Sequence, residues 1–353
     1  MITLRHQVLR LDKHTPLRIS RGARTQALVC WVRLKCDGIE GWGEAGEYSI
    51  GTHRESLLTI SSGLTRAATL VRRWDVFQRD SIEHSLRKAR VPSAAIAGIN
   101  QALWDCYGKQ IGEPLWRVWG MDCAKTPPTS VTVGLGSPEF GIQRATDWLK
   151  ISRFRVWKIK MGSPDGVSAD KELLEAVQSV IPKNATVSID ANGGWDLKSA
   201  ITMSRWLAKR GVEHMEQPLG RGADLGLKEL SRKTALPILV DESCLSSSDI
   251  PRLAPWVDGI NIKLMKCGGV SEAIRMIHTA RAHGLKVMLG CYSNTALANT
   301  AAAHLGGAVD YLDLDSHLNL IDDPFRGSIL NRGHLCVSKE PGFGIRYDSA
   351  QQT

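Results

Sequence analysis

The residues best suited to chemistry in this sequence recur at the ends of short apolar runs. Lys158 and Lys160 stand one residue apart in VWKIKMG (156–162). Asp190 ends the run in TVSIDA (186–191), Glu216 in VEHMEQ (212–217), and Asp241 and Glu242 in PILVDE (237–242). Lys263 follows in GINIKL (259–264), and Asp313 and Asp315 in DYLDLD (310–315). Lysine is among the residues least often buried, so two on one face of a β-prone run need a reason. A neighbouring ammonium and partial desolvation each lower a lysine pKa, which makes one of them usable as a base near neutral pH. Asp190, Glu216 and Asp241, brought together, would repel one another. A hard divalent cation relieves that repulsion, and Mg²⁺ fits because it keeps positions open for water or substrate. Bases beside a cation-held carboxylate point to removal and return of a proton α to that carboxylate, through an enediolate.

Such a site needs elements that bring distant residues to one place. From about residue 129 to 316 the sequence alternates short β-rich runs with helical stretches such as ADKELLEAVQSVI. The strands are expected at 130–136, 156–161, 186–191, 212–217, 237–242, 259–264, 286–291 and 310–315. Strand–helix alternation at this spacing predicts βα units and a parallel sheet. Eight units predict closure into an α/β barrel of the (β/α)8 type, with the site at the C-terminal ends of the strands. An open doubly wound sheet is disfavoured, since GLGSPEFG after the first strand does not match GxGxxG. Neighbouring strands lie about 4.8 Å apart, so carboxylates on strands three, four and five are expected to converge. Residues i and i+2 share a strand face, so both lysines of strand two are expected to point into the mouth. Lys263 on strand six lies opposite Lys160, which suggests one base on each face of the substrate. Before residue 125 the pattern is different: a hairpin over 26–46 turning at Asp37-Gly38, then helices over 53–73, 80–89 and 92–108.

Composition narrows the class. The chain has 353 residues, 43% hydrophobic and 23% charged, as in an ordinary soluble globular protein. No apolar stretch reaches the length of a membrane helix, and the first residues lack the apolar segment of a secretion signal. The eight cysteines are scattered with no CxxC pair, which favours reduced thiols and a cytoplasmic setting. The net charge of +9 is spread along the chain without long basic runs, so nucleic acid is not the expected partner. A small-molecule substrate is expected, with a homo-oligomer left open.

The ordered set KIK (158–160), DANGGW (190–195), EQP (216–218), DES (241–243) and NIKLMKCGG (261–269), with GWGEA (41–45) upstream, resembles the enolase superfamily and its muconate-lactonizing-enzyme subgroup. The resemblance covers nearly the whole chain. It implies a modified (β/α)7β barrel over 126–317. It also implies an α+β capping domain formed by 1–125 together with a C-terminal tail, 318–353. By the same resemblance Asp190, Glu216 and Asp241 are Mg²⁺ ligands, with Asn192 and Glu242 beside them. Lys160 and Lys263 are the paired acid/base lysines, tuned by Lys158. Lys263 stands where the mandelate-racemase subgroup usually has a histidine–aspartate dyad.

DLDS (313–316) resembles the Asp-x-Asp signature of dipeptide epimerases, in which the pair holds the free α-ammonium of the dipeptide. The expected activity is Mg²⁺-dependent epimerisation at the α-carbon of the C-terminal residue of an L,L-dipeptide. The alternatives are a muconate-type cycloisomerase, an N-acylamino acid racemase, and a non-catalytic barrel that binds metal or small ligands. RISRGARTQA (18–27) is expected to form a loop over the mouth, from which Arg24 would read the acidic side chain of L-Ala-L-Glu. One departure stands out: a glutamate of many relatives is replaced by Asn294 in GCYSNT (290–295).

Overall fold

A computed structural model describes residues 1–348. The chain begins with a three-stranded antiparallel sheet: β1 (Thr3–Ile19), β2 (Gly22–Cys36) and β3 (Ile39–Gly46). Asp37 and Gly38 turn β2 into β3 with φ of 50° and 85°, the left-handed pair that an Asp-Gly hairpin turn requires. The segment 18–27 is not the loop that the family resemblance implied. Arg18 lies in β1, Arg24 lies in β2, and only Ser20 and Arg21 form the turn between them.

A short hairpin follows, β4 (Tyr48–Ile50) and β5 (His53–Glu55), and then three helices: α1 (Leu57–Val71), α2 (Arg79–Lys88) and α3 (Ser93–Ile111). Glu55 caps α3 by accepting from the Ser93 and Ala94 amides, and Gly112 ends it in the left-handed conformation. The sheet lies directly on α3. A Cβ at Gly41 or Gly43 would come 2.0 Å from the carbonyl oxygens of Ala102 and Gly98. The glycines of GWGEA are therefore what allow strand and helix backbones to touch.

The barrel strands are β6 (Ser130–Val133), β7 (Val156–Lys160), β8 (Thr186–Asp190), β9 (Val212–Glu216), β10 (Ile238–Val240), β11 (Gly259–Ile262), β12 (Lys286–Gly290) and β13 (Tyr311–Asp313). All eight lie within the expected segments. They form one eight-stranded sheet in sequential order, each pair parallel. A bridge from Thr129 to Leu312 joins the last strand to the first. Helices fill the crossovers up to β13, after which a 3₁₀ turn (Ser316–Asn319) replaces an eighth helix, as a (β/α)7β barrel requires. The chain then returns to the first sheet: Phe325 and Tyr347 pack on Trp42, and Tyr347 also on Trp31. Among the described residues no helix is long and apolar enough to cross a membrane.

Glu44 of β3 crosses to the barrel. It is completely buried and accepts from Asn294 Nδ2 at 2.7 Å and from the Thr295 amide and hydroxyl. This is where Asn294 is used: it donates across the seam to Glu44 and does not line the cavity at the barrel mouth. Burial pushes the Glu44 carboxyl up to about 7, with Asp323 adding to the shift and the hydrogen bonds from Thr295 and Asn294 opposing it. A raised carboxyl pKa means that the folded state holds more protons than the unfolded one between about pH 4.5 and 7. The contribution is therefore present at low pH and declines as pH rises through that window. Glu44→Gln keeps the shape and removes the titration. Relative to wild type, the variant should gain stability on the order of 3 kcal/mol between pH 5 and pH 8, measured by urea unfolding. Parallel pH profiles for the two proteins would show that Glu44 does not titrate in this range.

Candidate active site

The C-terminal ends of the barrel strands carry the charged residues. Strand register sets Lys160 beside Asp190 and Asp190 beside Glu216 on β7, β8 and β9. Lys160 Nζ donates to Asp190 Oδ2 at 2.6 Å, and Lys263 Nζ lies 2.7 Å from Asp241 Oδ2. Both lysines line a single cavity of about 380 Å³ between the barrel mouth and the β1–β2 hairpin. Lys160 ends strand two and Lys263 follows strand six, so the two ammonium groups approach the cavity from opposite walls.

Lys158 departs from expectation. It does not line this cavity. Its ammonium lies inside the barrel, donating to Glu216 Oε2 at 2.5 Å, Asp313 Oδ2 at 2.6 Å and Met288 Sδ at 3.5 Å. Period two puts Lys158 on the face of Lys160 but two residues, about 6.6 Å, lower in the barrel. Nor is the pKa of Lys158 or of Lys263 depressed. Burial acts to lower Lys158, but Asp313 and Glu216 outweigh it and hold the ammonium above the ordinary lysine range. Burial likewise opposes charge on Lys263, and Asp241, Glu216 and Glu242 outweigh it. Carboxylates, not the neighbouring ammonium, dominate each lysine's surroundings.

The same pairing takes in Asp190, Glu216 and Asp241, which all act on the Lys263 ammonium. All three are buried on neighbouring strand ends. Each is drawn to its own lysine, however, and among the described residues no three His, Cys, Asp or Glu side chains group to hold a metal ion. Ammonium groups supply the positive charge that a cation would bring. The surroundings still fit a hard cation. The donors are oxygens, and three buried acceptors beside the carboxylates, Asn192 Oδ1, Glu242 Oε2 and Asn261 Oδ1, have no hydrogen-bond partner among the described residues. A buried orphan acceptor costs about 1–3 kcal/mol, and a hydrated divalent cation relieves such a cost. Asp190, Glu216 and Asp241 could hold it, with Asn192 and Glu242 beside them. Asn192 donates to Asp190 Oδ2 at 3.0 Å and to Glu242 Oε1 at 3.4 Å.

Asp313 and Asp315 share a face of β13 and its extension but have different surroundings. Both oxygens of Asp313 already accept, one from Ser130 Oγ at 2.6 Å and one from Lys158. Burial opposes its charge, yet Lys158 and Lys160 bring its carboxyl down to about 2. Asp315 accepts the Thr132 amide at 2.7 Å and makes no ion pair among the described residues, with Arg144 and Lys13 acting on it only at longer range. Burial, reinforced by Asp313, pushes it up to about 6. Of the pair, Asp315 is the carboxylate with capacity for a ligand.

Arg24 lines the cavity, but its guanidinium pairs with Glu47 at 2.8 Å, and Arg54 holds the same carboxylate at 3.1 Å. The turn residue Arg21 makes the closer approach to the charged cluster, donating to the Asn192 carbonyl at 2.7 Å and to Glu242 Oε1 at 2.8 Å. Sequence reasoning gave Arg21 no separate role. It also passed over Lys266, which donates to both the carbonyl and the side chain of Asp241, and Asn261, which donates to Glu216 Oε1 at 2.6 Å. The signal for both lay in NIKLMKCGG: a polar residue inside an apolar strand, and a lysine three residues after Lys263 on a helical turn.

Known proteins resemble this chain in sequence and fold. A hydrophobic dipeptide epimerase of Flavobacteria bacterium (strain MS024-2A) is 41% identical over 95% of both chains. An L-Ala-D/L-Glu epimerase of Bacteroides thetaiotaomicron is 32% identical over 92% of this chain and 82% of its own. The crystal structure of a dipeptide epimerase from Cytophaga hutchinsonii, complexed with Mg and the dipeptide D-Ala-L-Val, superposes with a TM-score of 0.93 at 28% identity, covering 99% of this chain and 96% of that one. The mandelate racemase/muconate lactonizing enzyme N-terminal domain model matches residues 1–120, and the enolase C-terminal domain-like model matches 142–351. The barrel, the lysines on opposite walls and these two matches together place the chain in the mandelate racemase/muconate lactonizing enzyme family of the enolase superfamily.

Proposed function

We propose that this protein is an Mg²⁺-dependent dipeptide epimerase that inverts the α-carbon of the C-terminal residue of an L,L-dipeptide. The observation that carries this reading is the placement of Lys160 and Lys263 on opposite walls of one cavity. A cation held by Asp190, Glu216 and Asp241 would neutralise the substrate carboxylate and so acidify the α-proton. Lys160 serves one face of the α-carbon and Lys263 the other. One takes the α-proton, and the other returns a proton from the opposite side. Lys158 keeps Glu216 and Asp313 in place and exchanges no proton with substrate. Asp315 accepts the free ammonium of the dipeptide, a role that the anionic substrates of cycloisomerases and the acylated substrates of N-acylamino acid racemases cannot use.

Two features bear on the preferred side chain. The Arg24 charge is spent on Glu47, and Leu17, Ile19 and Phe140 line the cavity nearby, which supports an apolar residue. The relative at 41% identity, named for hydrophobic dipeptides, supports the same preference. A second reading, L-Ala-L-Glu, draws on Arg24 and Arg54, which share the single carboxylate of Glu47, and on Lys13, which also lines the cavity.

Incubation with Mg²⁺ and a dipeptide library in D₂O should give products one mass unit heavier, and EDTA should abolish the exchange. Lys160→Ala and Lys263→Ala should each abolish epimerisation and leave α-proton exchange with opposite epimers. Full epimerisation by either variant would rule out the two-base mechanism.

The amine end gives a second expectation. Asp315→Asn should raise KM for free dipeptides roughly ten- to a hundredfold, the loss of one charge-assisted contact. N-acetylated dipeptides should be poor substrates for the wild type. Asp313→Asn should instead lower the melting temperature, because Lys158 loses one of its two carboxylates. Equal KM effects with unchanged stability in both variants would contradict this division of roles.

For the side chain, wild type should turn over Ala-Leu faster than Ala-Glu, and Arg24→Ala should lower kcat/KM for both by similar factors. A loss of roughly tenfold or more confined to Ala-Glu would establish Arg24 as the reader of an acidic side chain.

A further inference from the structure

Tyr292 sits at the end of β12, in the stretch GCYSNT where the sequence departs from many relatives. Three independent features meet there. Its ring lies under Lys263, with the ammonium 4.6 Å from the ring centroid. It stacks on Tyr48 of the first domain, centroids 5.2 Å apart and planes 25° apart, which fixes the ring plane. Its hydroxyl is buried, the residue lines the cavity that holds Lys160, Lys263 and Asp315, and the hydroxyl has no hydrogen-bond partner among the described residues.

A phenol that is buried usually finds an acceptor. Leaving one unpaired is unfavourable, and a rigid ring cannot turn its hydroxyl away to seek water. The Tyr292 hydroxyl stays protonated, since burial and the charges of Asp241 and Glu242 all oppose ionisation. It is therefore a donor waiting at the cavity wall.

Strand order says what it would meet. In the proposed epimerase reading, on which this inference rests, the substrate carboxylate lies toward the ends of β8, β9 and β10. The ammonium lies at Asp315, beyond β13. The α-carbon lies between the two lysines. The peptide link must run from that carbon toward β13, past the end of β12, which stands between β11 and β13. The acceptor presented there is the peptide carbonyl oxygen. We propose that Tyr292 is a substrate-binding and positioning residue: its hydroxyl donates to the peptide carbonyl of the dipeptide, while its ring face holds the Lys263 ammonium in line with the α-carbon. It would thus tie recognition of a peptide bond to placement of one of the two bases.

The test uses Tyr292→Phe, Tyr292→Leu, and a dipeptide whose peptide C=O is replaced by the poorly accepting C=S. Tyr292→Phe keeps the ring and loses the donor. It should raise KM for the ordinary dipeptide roughly three- to tenfold with little change in kcat. Wild type should discriminate against the thioamide by a similar factor, and Tyr292→Phe should not discriminate. Tyr292→Leu also removes the ring face. Beyond the effect of the Phe variant, it should slow α-proton exchange of the epimer served by Lys263, roughly two- to tenfold, and spare the other. A purely structural role would slow both epimers alike and leave the oxygen-to-sulfur preference intact. If wild type exchanges α-protons and Tyr292→Phe matches it on both substrates, the inference is overturned and the epimerase reading stands. If wild type exchanges no dipeptide α-proton, the epimerase reading falls and takes this inference with it.

Discussion

The barrel mouth is organised by the need to compensate buried charge. Asp190, Glu216, Asp241, Glu242, Asp313 and Asp315 are all buried there, with Lys158, Lys160, Lys263 and Lys266 among them. An isolated buried carboxylate or ammonium would neutralise itself by shifting its pKa. Here each lysine sits within 2.7 Å of a carboxylate oxygen. Such pairs are not a cheap way to stabilise a fold, because desolvation offsets most of the attraction. Removing one partner is costly, however, so the cluster holds its members in fixed relative positions. Lys158 shows this most clearly. From β7 it reaches Glu216 on β9 and Asp313 on β13, and so links strands that are not neighbours in the sheet. The charge balance and the closure of the barrel are one constraint.

A second set of contacts ties the first domain to this cluster. Arg21 reaches from the β1–β2 turn to Asn192 and Glu242, Lys13 of β1 donates to Ser293 at 2.7 Å, and Glu44 of β3 accepts from Asn294 and Thr295. Each ends at a loop that follows a barrel strand. The hairpin therefore contributes wall and charge to the cavity, and its position is set by the side chains that define the barrel mouth. Burial keeps Lys13 down near 8, with Arg24 adding to the shift and Cys291 and Asp315 opposing it. That is the mark of a cation enclosed by the seam between the domains.

Much of this architecture was legible in the sequence, and the illegible part has physical causes. The eight barrel strands could be read because each is a short apolar run and six of them end in a charged residue, a pattern that suits a buried parallel sheet with a functional rim. β1 was missed because it has no clean alternation: RLDKHTPLRI mixes charges and Pro16 along an edge strand with little fully buried surface. The face of Lys158 could be read from its spacing to Lys160, but not its depth, and depth decides whether an ammonium meets substrate or a floor of carboxylates. The partner of Asn294 was hidden for another reason. Glu44 lies 250 residues away, and nothing local in either stretch signals the contact. The pKa direction of Lys158 was misread because sequence shows neighbouring like charges but not the opposite charges, Asp313 and Glu216, that folding brings closer.

Depth also explains why two charged pairs occur at i and i+2. On β7 the pair is Lys158 and Lys160, and on β13 and its extension it is Asp313 and Asp315. Period two keeps each pair on the inner face at two heights. The lower members meet each other: Lys158 and Asp313 form an ion pair at 2.6 Å. The upper members do not meet and both line the cavity. One strand geometry thus yields a lower layer that completes the charge balance of the barrel interior, with Asp313 still bordering the cavity, and an upper layer that faces the cavity. The pKa directions follow this layering. Asp313, next to the Lys158 ammonium, is held down near 2, whereas Asp315, with a backbone amide and no ion pair among the described residues, rises to about 6. A carboxylate already paired adds little by meeting a second ammonium, whereas one that lacks a cation gains a full charge-assisted bond. In the proposed epimerase the upper layer is therefore the place for an incoming amine, and the lower layer keeps it aligned with the two lysines.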